Sequence, residues 1–367
     1  MNTIYPAKKI ITMNPARPHA SHVAVRDGCI LGAGSLEELE GWGEYELDQR
    51  FADKVIMPGF VEGHSHGMEG TLWSYTYVGY FDRMNPDGEI QPGIKSIAAV
   101  IERLQEVDAG LSDPDEALPG WQLDPIYFDN ERVTREHLDQ VSATRPIGLL
   151  HASGHIVNVN SKALELAGLL RTGIDNPGVP LGDDGMPTGE LKGPEVMGLV
   201  AQYVGFDQDF LAVDKPGLAN FGKLCVRSGV TTATDLASRL APELVDMMQD
   251  VISADEYPAR IVSLLFHGGV SPDDLIKRAH ELKAQSSEKL RLGMIKVVVD
   301  GSIQGFSARM RAPGYYNGAA NGLWYISPQH LEQILGDSLK TGLHVHTHTN
   351  GDEATELLFK ILTTGVC

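Results

Sequence analysis

From residue 216 onward, short apolar runs alternate with amphipathic segments, and this alternation constrains the chain more than any other feature. Helix-period LANFGKLCVRSG precedes GVTTATDLA, and helix-period APELVDMMQDVISA precedes ARIVSLLFHG. DDLIKRAHELKAQ then precedes GMIKVVVDGS, PQHLEQILGDSLKTG precedes LHVHTHTNGD, and EATELLFKILTTG follows. Apolar strands separated by amphipathic helices make a parallel sheet whose strands are buried on both faces. Repeated βα units with polar residues at the strand ends fit a (β/α) barrel. A doubly wound sheet is the alternative, but no glycine fingerprint follows the first strand.

In such folds the chemistry sits at the C-terminal ends of the strands. The strand predicted over 55–63, in VIMPGFVEGHSHG, runs into His64 and His66. The period of two puts both imidazoles on one side, a pair suited to one divalent metal. The strand at 229–237 ends in Asp235, and that at 259–268 ends in His267, read as structural. The strand at 293–300 carries Lys296 inside MIKVVVD and ends in Asp300-Gly301-Ser302. A lysine in an apolar strand is costly unless neutralised or paired. A solvent-facing edge lysine is one reading, and conversion by carbon dioxide to an anionic, metal-bridging carbamate is the other. The strand at 343–348 carries His344, His346 and His348. His348, nearest the strand end, is the expected ligand, and the other two are expected deeper.

Residues 1–54 read as short strands broken by Asn-Pro, Asp-Gly and Gly-Ala-Gly, a partial β-sandwich domain. The expected barrel comprises 55–74 and 216–367, about five of eight units. Residues 75–215 mix aromatics, breakers and short periodic runs, and are expected to form a long insertion over the site, after the first barrel strand. Within it His151 is read as structural, His155 as a substrate contact, and Tyr127, Phe128 and Asp129 as weaker pocket candidates. Asp300, on the same face as Lys296 and nearer the rim, is also expected to contact substrate.

Composition excludes some partners. The chain has 30 Lys and Arg against 49 Asp and Glu, a formal net charge of -19. That balance disfavours nucleic acid and anionic membrane and leaves a small-molecule substrate, with a homo-oligomer open. No run approaches the roughly 18 apolar residues of a spanning helix, and the N-terminus lacks a signal-peptide pattern. Cys29, Cys225 and Cys367 are scattered, which suits a reducing compartment, and the expected location is cytoplasmic.

Together PGFVEGHSHG, VTREHLDQV, SGHIVNVNSKALELAGL, DGMPTGEL, GVTTATD, KVVVDGS and HTHTNGDEA resemble, in order, the amidohydrolase superfamily. They are most similar to its amidohydrolase 3 branch, with the N-acyl-D-amino-acid deacylases and N-substituted formamide deformylases. The resemblance implies a TIM-like barrel with a small β-sandwich domain. It implies one or two divalent metals, usually zinc, held by His64, His66, carboxylated Lys296 and His348. It implies hydrolysis of carbon–nitrogen bonds other than peptide bonds. Heterocycle deamination, or metal or ligand binding without turnover, are the competing readings. The pattern further requires a histidine after a sixth strand and a catalytic aspartate after an eighth. Neither falls within the 367 residues, so the chain is expected to be a C-terminally truncated member, its barrel incomplete and its general base beyond Cys367.

Overall fold

The computed structural model describes residues 1–113, 115–129, 131–206 and 213–364, and Cys367 lies outside them. The chain divides into two compact units, Met1–Val61 and a second from Glu62 onward.

The first unit is one five-stranded sheet. Strands β1 (Asn2–Ile11), β2 (His19–Arg26) and β3 (Cys29–Gly34) precede helix α1 (Leu36–Glu40), then β4 (Tyr45–Leu47) and β5 (Val55–Ile56). The order is β3-β2-β1-β4, with β5 also on β1. Asp27 and Gly28 both take positive φ (50° and 75°) in the tight turn joining β2 to β3, as the Asp-Gly signal predicts. Ser35 caps α1 in a capping box, and Leu39 is buried with Ile4 and Ala24. The sandwich expected here is seen as a single sheet among the described residues.

β6 (Phe60–Glu62) spans the division, and α2 (Met68–Leu72) opens the second unit. A mixed sheet follows in the region read as an insertion. It comprises β7 (Thr76–Tyr77), then, after the small hairpin β8 (Arg83–Met84) and β9 (Ile90–Gln91) and helix α3 (Ile97–Asp108), β10 (Leu118–Leu123). Helix α4 (Arg135–Asp139), strands β11 (Ile147–His151) and β12 (Ile156–Val159), helix α5 (Ser161–Leu166), β13 (Glu190–Lys192) and α6 (Pro194–Ala201) complete the region. The sheet order is β13-β12-β11-β10-β7, parallel from β7 to β11 and antiparallel from β11 to β13. Two apolar clusters, one around Leu150 and Val157 and one around Leu104 and Leu149, form its core.

Helix α7 (Lys215–Ser228) leads into the predicted alternation: β14 (Val230–Ser238), α8 (Pro242–Ile252), β15 (Arg260–Phe266), α9 (Pro272–Lys283), β16 (Leu290–Val298), α10 (Pro328–Thr341), β17 (Val345–His348) and α11 (Asp352–Thr364). Neighbours pair in parallel and in sequence order. Asp214 caps α7 by accepting from Gly217 N–H (2.7 Å), and Gly229 ends it at φ 69°. Helices α2 and α7 meet through glycine: a Cβ on Gly70 would lie 1.8 Å from the Gly217 carbonyl oxygen. Only a residue without a side chain permits that approach. Among the described residues no helix is long and apolar enough to cross a membrane.

Candidate metal centre

The sheet register sets the site. Phe266 pairs with Lys296, Lys296 with His346, and Val298 with His348. Lys296 is therefore one row deeper than His348. It is 2% exposed, and its Nζ has no hydrogen-bond partner. Desolvation draws its pKa down to about 8. The solvent-facing alternative for this lysine is thus excluded.

His64 and His66 do not sit on a strand, since β6 stops at Glu62. The turn that carries them is fastened to β14. Ser65 N–H donates to Thr234 Oγ1 (3.1 Å), Ser65 Oγ to the Thr234 carbonyl (2.6 Å), and Leu236 N–H to the Ser65 carbonyl (2.9 Å). Gly67 N–H donates to Asp235 Oδ1 (2.8 Å), and Ser263 Oγ holds the other oxygen (2.7 Å). Asp235 is thus a buried brace for the turn. His66 Nδ1 lies 2.6 Å from the Leu236 carbonyl oxygen, which can only accept, so Nδ1 carries the proton and Nε2 keeps its lone pair. Burial first, then the Lys296 and neighbouring histidine charges, lower its pKa to about 4.

The rings converge. His64 lies 5.7 Å from His66 and 5.3 Å from His346 between centroids, and His155 lies 5.1 Å from His348. Lys296 lowers the pKa of His64, His66, His155, His346 and His348 alike, after desolvation in each, which marks it as their common neighbour. His346, expected deeper than His348, lies one row below it and is half-buried against His64. His344 is exposed and precedes β17. His155 is held neutral by burial, its pKa lowered to about 3.

Asp300 departs from expectation. It is fully buried, and its oxygens accept from three backbone donors: Arg309 N–H (2.8 Å), Asn350 N–H (2.9 Å) and Gly351 N–H (2.8 Å). It thereby ties the loops after β16 and β17 together. His151 sits in β11 with Nε2 on Asn158 Oδ1, away from the cluster. Tyr127 stacks on Tyr80, Phe128 is buried beneath the mixed sheet, and Asp129 follows at φ 55°.

Among the described residues no three His, Cys, Asp or Glu side chains already form a group around one ion-sized point. The predicted His64, His66 and His348 are therefore not gathered into such a group, and Lys296, the fourth predicted member, is of another type. His348 Nε2, like Lys296 Nζ, is buried without a hydrogen-bond partner. Orphaned nitrogens on His348 and Lys296, beside a His66 whose tautomer is fixed, fit a metal in kind.

Parallel βα units with this cluster at their strand ends define an amidohydrolase-type architecture. The chain belongs to the amidohydrolase family, which it matches over residues 52–364. It is 28% identical to Protein LONG AFTER FAR-RED 3 of Arabidopsis thaliana over 95% of this chain. It is 25% identical to YtcJ of Bacillus subtilis (strain 168) over 97%. The chain spans 59% and 65% of those two proteins. An uncharacterized metal-dependent hydrolase from Pyrococcus horikoshii OT3 aligns at TM-score 0.65 and 17% identity, covering 99% of this chain and 68% of that one. Its counterpart from Pyrococcus furiosus aligns at 0.61 and 18%, covering 100% and 70%. The second unit's parallel sheet thus has the TIM-like barrel fold of this family, in part. The deacylase and deformylase branch is not distinguished by these matches.

Proposed function

We propose that the chain carries the metal centre of a hydrolase that cleaves carbon–nitrogen bonds other than peptide bonds, of the amide, N-acyl or N-formyl kind. The observation that carries it is a buried, unpartnered Lys296 in a parallel strand, whose charge adds to burial in lowering the pKa of His64, His66 and His348. In this reading those four residues hold one or two divalent ions, zinc by family resemblance. The metal would supply a Lewis acid and a water ionised near neutral pH.

The chain's own residues do the rest. Burial shifts Lys296 toward its free amine, the form that adds to carbon dioxide. The new N–C bond gives a carbamate, one proton leaves to solvent, and a buried cation becomes an anion able to bind metal. His66 presents Nε2 because Nδ1 is committed to Leu236. His155, neutral and packed on His348, would contact the substrate. Asp300 keeps the Lys296 and His348 loops in register. On this reading 55–74 and 216–367 form the hydrolase barrel and 75–215 its cover, with 1–54 a separate β domain.

The test is elemental analysis of the purified chain beside a His64→Ala/His66→Ala variant, with carbon-13 bicarbonate labelling of Lys296. Bound metal should be lost in the variant, and the unmodified chain should show a carbamate signal. Unchanged metal content in the variant would sink the reading.

A further inference from the structure

Strand β13 is an edge of the mixed sheet, and its charged side chains reach the loop that follows β16. Glu190 is 6% exposed and accepts from Arg132 Nε (2.7 Å), while Lys192 Nζ lies 3.2 Å from its other oxygen. The two cations that share this carboxylate then donate to successive carbonyls of the loop. Arg132 Nη1 donates to Gln304 (3.2 Å), and Lys192 Nζ to Gly305 (3.0 Å). A buried carboxylate needs cations or donors around it, and here it orients both donors at once.

The loop is seated closely on the mixed sheet. A Cβ on Gly305 would overlap Ile156 Cδ1 of β12 and lie 2.6 Å from Ser302 Oγ. The Arg132 guanidinium lies 5.8 Å from the centroid of the Phe306 ring. The end of β13 also reaches the histidine cluster. Gly193 N–H donates to the His155 carbonyl (3.0 Å), and His155 packs 5.1 Å from His348. One short segment, 190–193, thus holds both the loop that continues the Lys296 strand and the backbone of His155.

We propose that Lys192, oriented by Glu190, is a positioning residue: it closes the seam between the mixed sheet and the loop after β16, and so keeps the mixed sheet shut over Lys296. The assignment rests on the reading above of 75–215 as the cover of a hydrolase site, but its test needs neither metal nor turnover.

The experiment treats native, metal-free protein with an acetylating succinimidyl ester and with iodoacetamide, and reads each site by peptide mass. Lys296 reports opening of the seam, and the buried Cys225 thiol of α7 reports opening of the whole unit. Exposed Lys8 and Cys29 normalise the two reagents. In Lys192→Met the labelling of Lys296 should rise about tenfold, the worth of one hydrogen bond, while Cys225 stays as in the parent. Gly305→Val displaces the loop without touching a charge. It should do the same, and it decides if Lys192→Met does not fold. Lys296 labelling that is unchanged in either folded variant would overturn the proposal. So would labelling that rises in step with Cys225, which would make Lys192 a structural residue only. A chain found to bind no metal would overturn the hydrolase reading and leave these readouts intact.

Discussion

The two sheets of the second unit differ in which buried polar groups they leave open. In the mixed sheet most such groups have a protein partner, Trp121 Nε1 being an exception, and in the parallel sheet the carboxylates do while several nitrogens do not. His151 meets Asn158, whose Nδ2 donates to the Val133 carbonyl (2.6 Å). Asn160 accepts from Ile147 N–H and Ala163 N–H and donates to the Ser142 and Arg145 carbonyls. Buried Glu190 takes Arg132 Nε (2.7 Å) and Lys192 Nζ (3.2 Å). At the ends of the parallel sheet Lys296, His348 and His267 each keep a nitrogen with no partner. Satisfied networks hold a fold in one arrangement, whereas orphaned nitrogens on strand ends are capacity held for something else.

If that contrast is right, deletions in the mixed sheet should cost most. Glu190→Ala leaves Arg132 and Lys192 without their buried counter-charge and should destabilise by about 3–5 kcal/mol in urea unfolding. A loss under 1 kcal/mol would mean the network is slack.

Acid should act next. Burial lowers the His151 pKa from the ordinary 6.5 to about 4. The unfolded chain therefore binds its proton first. The stability this histidine contributes is complete above pH 6.5 and is lost as pH falls toward 4, up to about 3 kcal/mol. His151→Gln should flatten that part of the stability–pH curve relative to the parent. An unaltered slope would assign the acid sensitivity elsewhere.

The smallest effect belongs to the parallel sheet. Lys296→Met replaces an unpartnered buried ammonium by an apolar side chain of similar length. The metal-free chain should be unchanged or more stable, within about 1 kcal/mol, while bound metal falls. Marked destabilisation would give Lys296 a structural partner and erase the contrast between the sheets.

Much of this was legible in the sequence. Parallel strands buried on both faces read as apolar runs, and capped helices between them make the βα alternation visible from 216 onward. Lys296 stood out because an ammonium contradicts its apolar surroundings. The mixed sheet was less legible because its strands are two to six residues long and β11–β13 alternate little. The depth of His346 along β17 was legible, but its contact with His64 was not, because His64 reaches it from another segment. Nothing local could reveal that the Leu236 carbonyl would fix the His66 tautomer from 170 positions away. Nor could it show that amides at 309, 350 and 351 would occupy Asp300.

That last arrangement has a consequence for motion. Three amide protons from two loops share one carboxylate as their acceptor. The loop after β17 therefore cannot lift away without leaving Asp300, a buried carboxylate, with the Arg309 amide alone, which makes its opening near Lys296 and His348 costly.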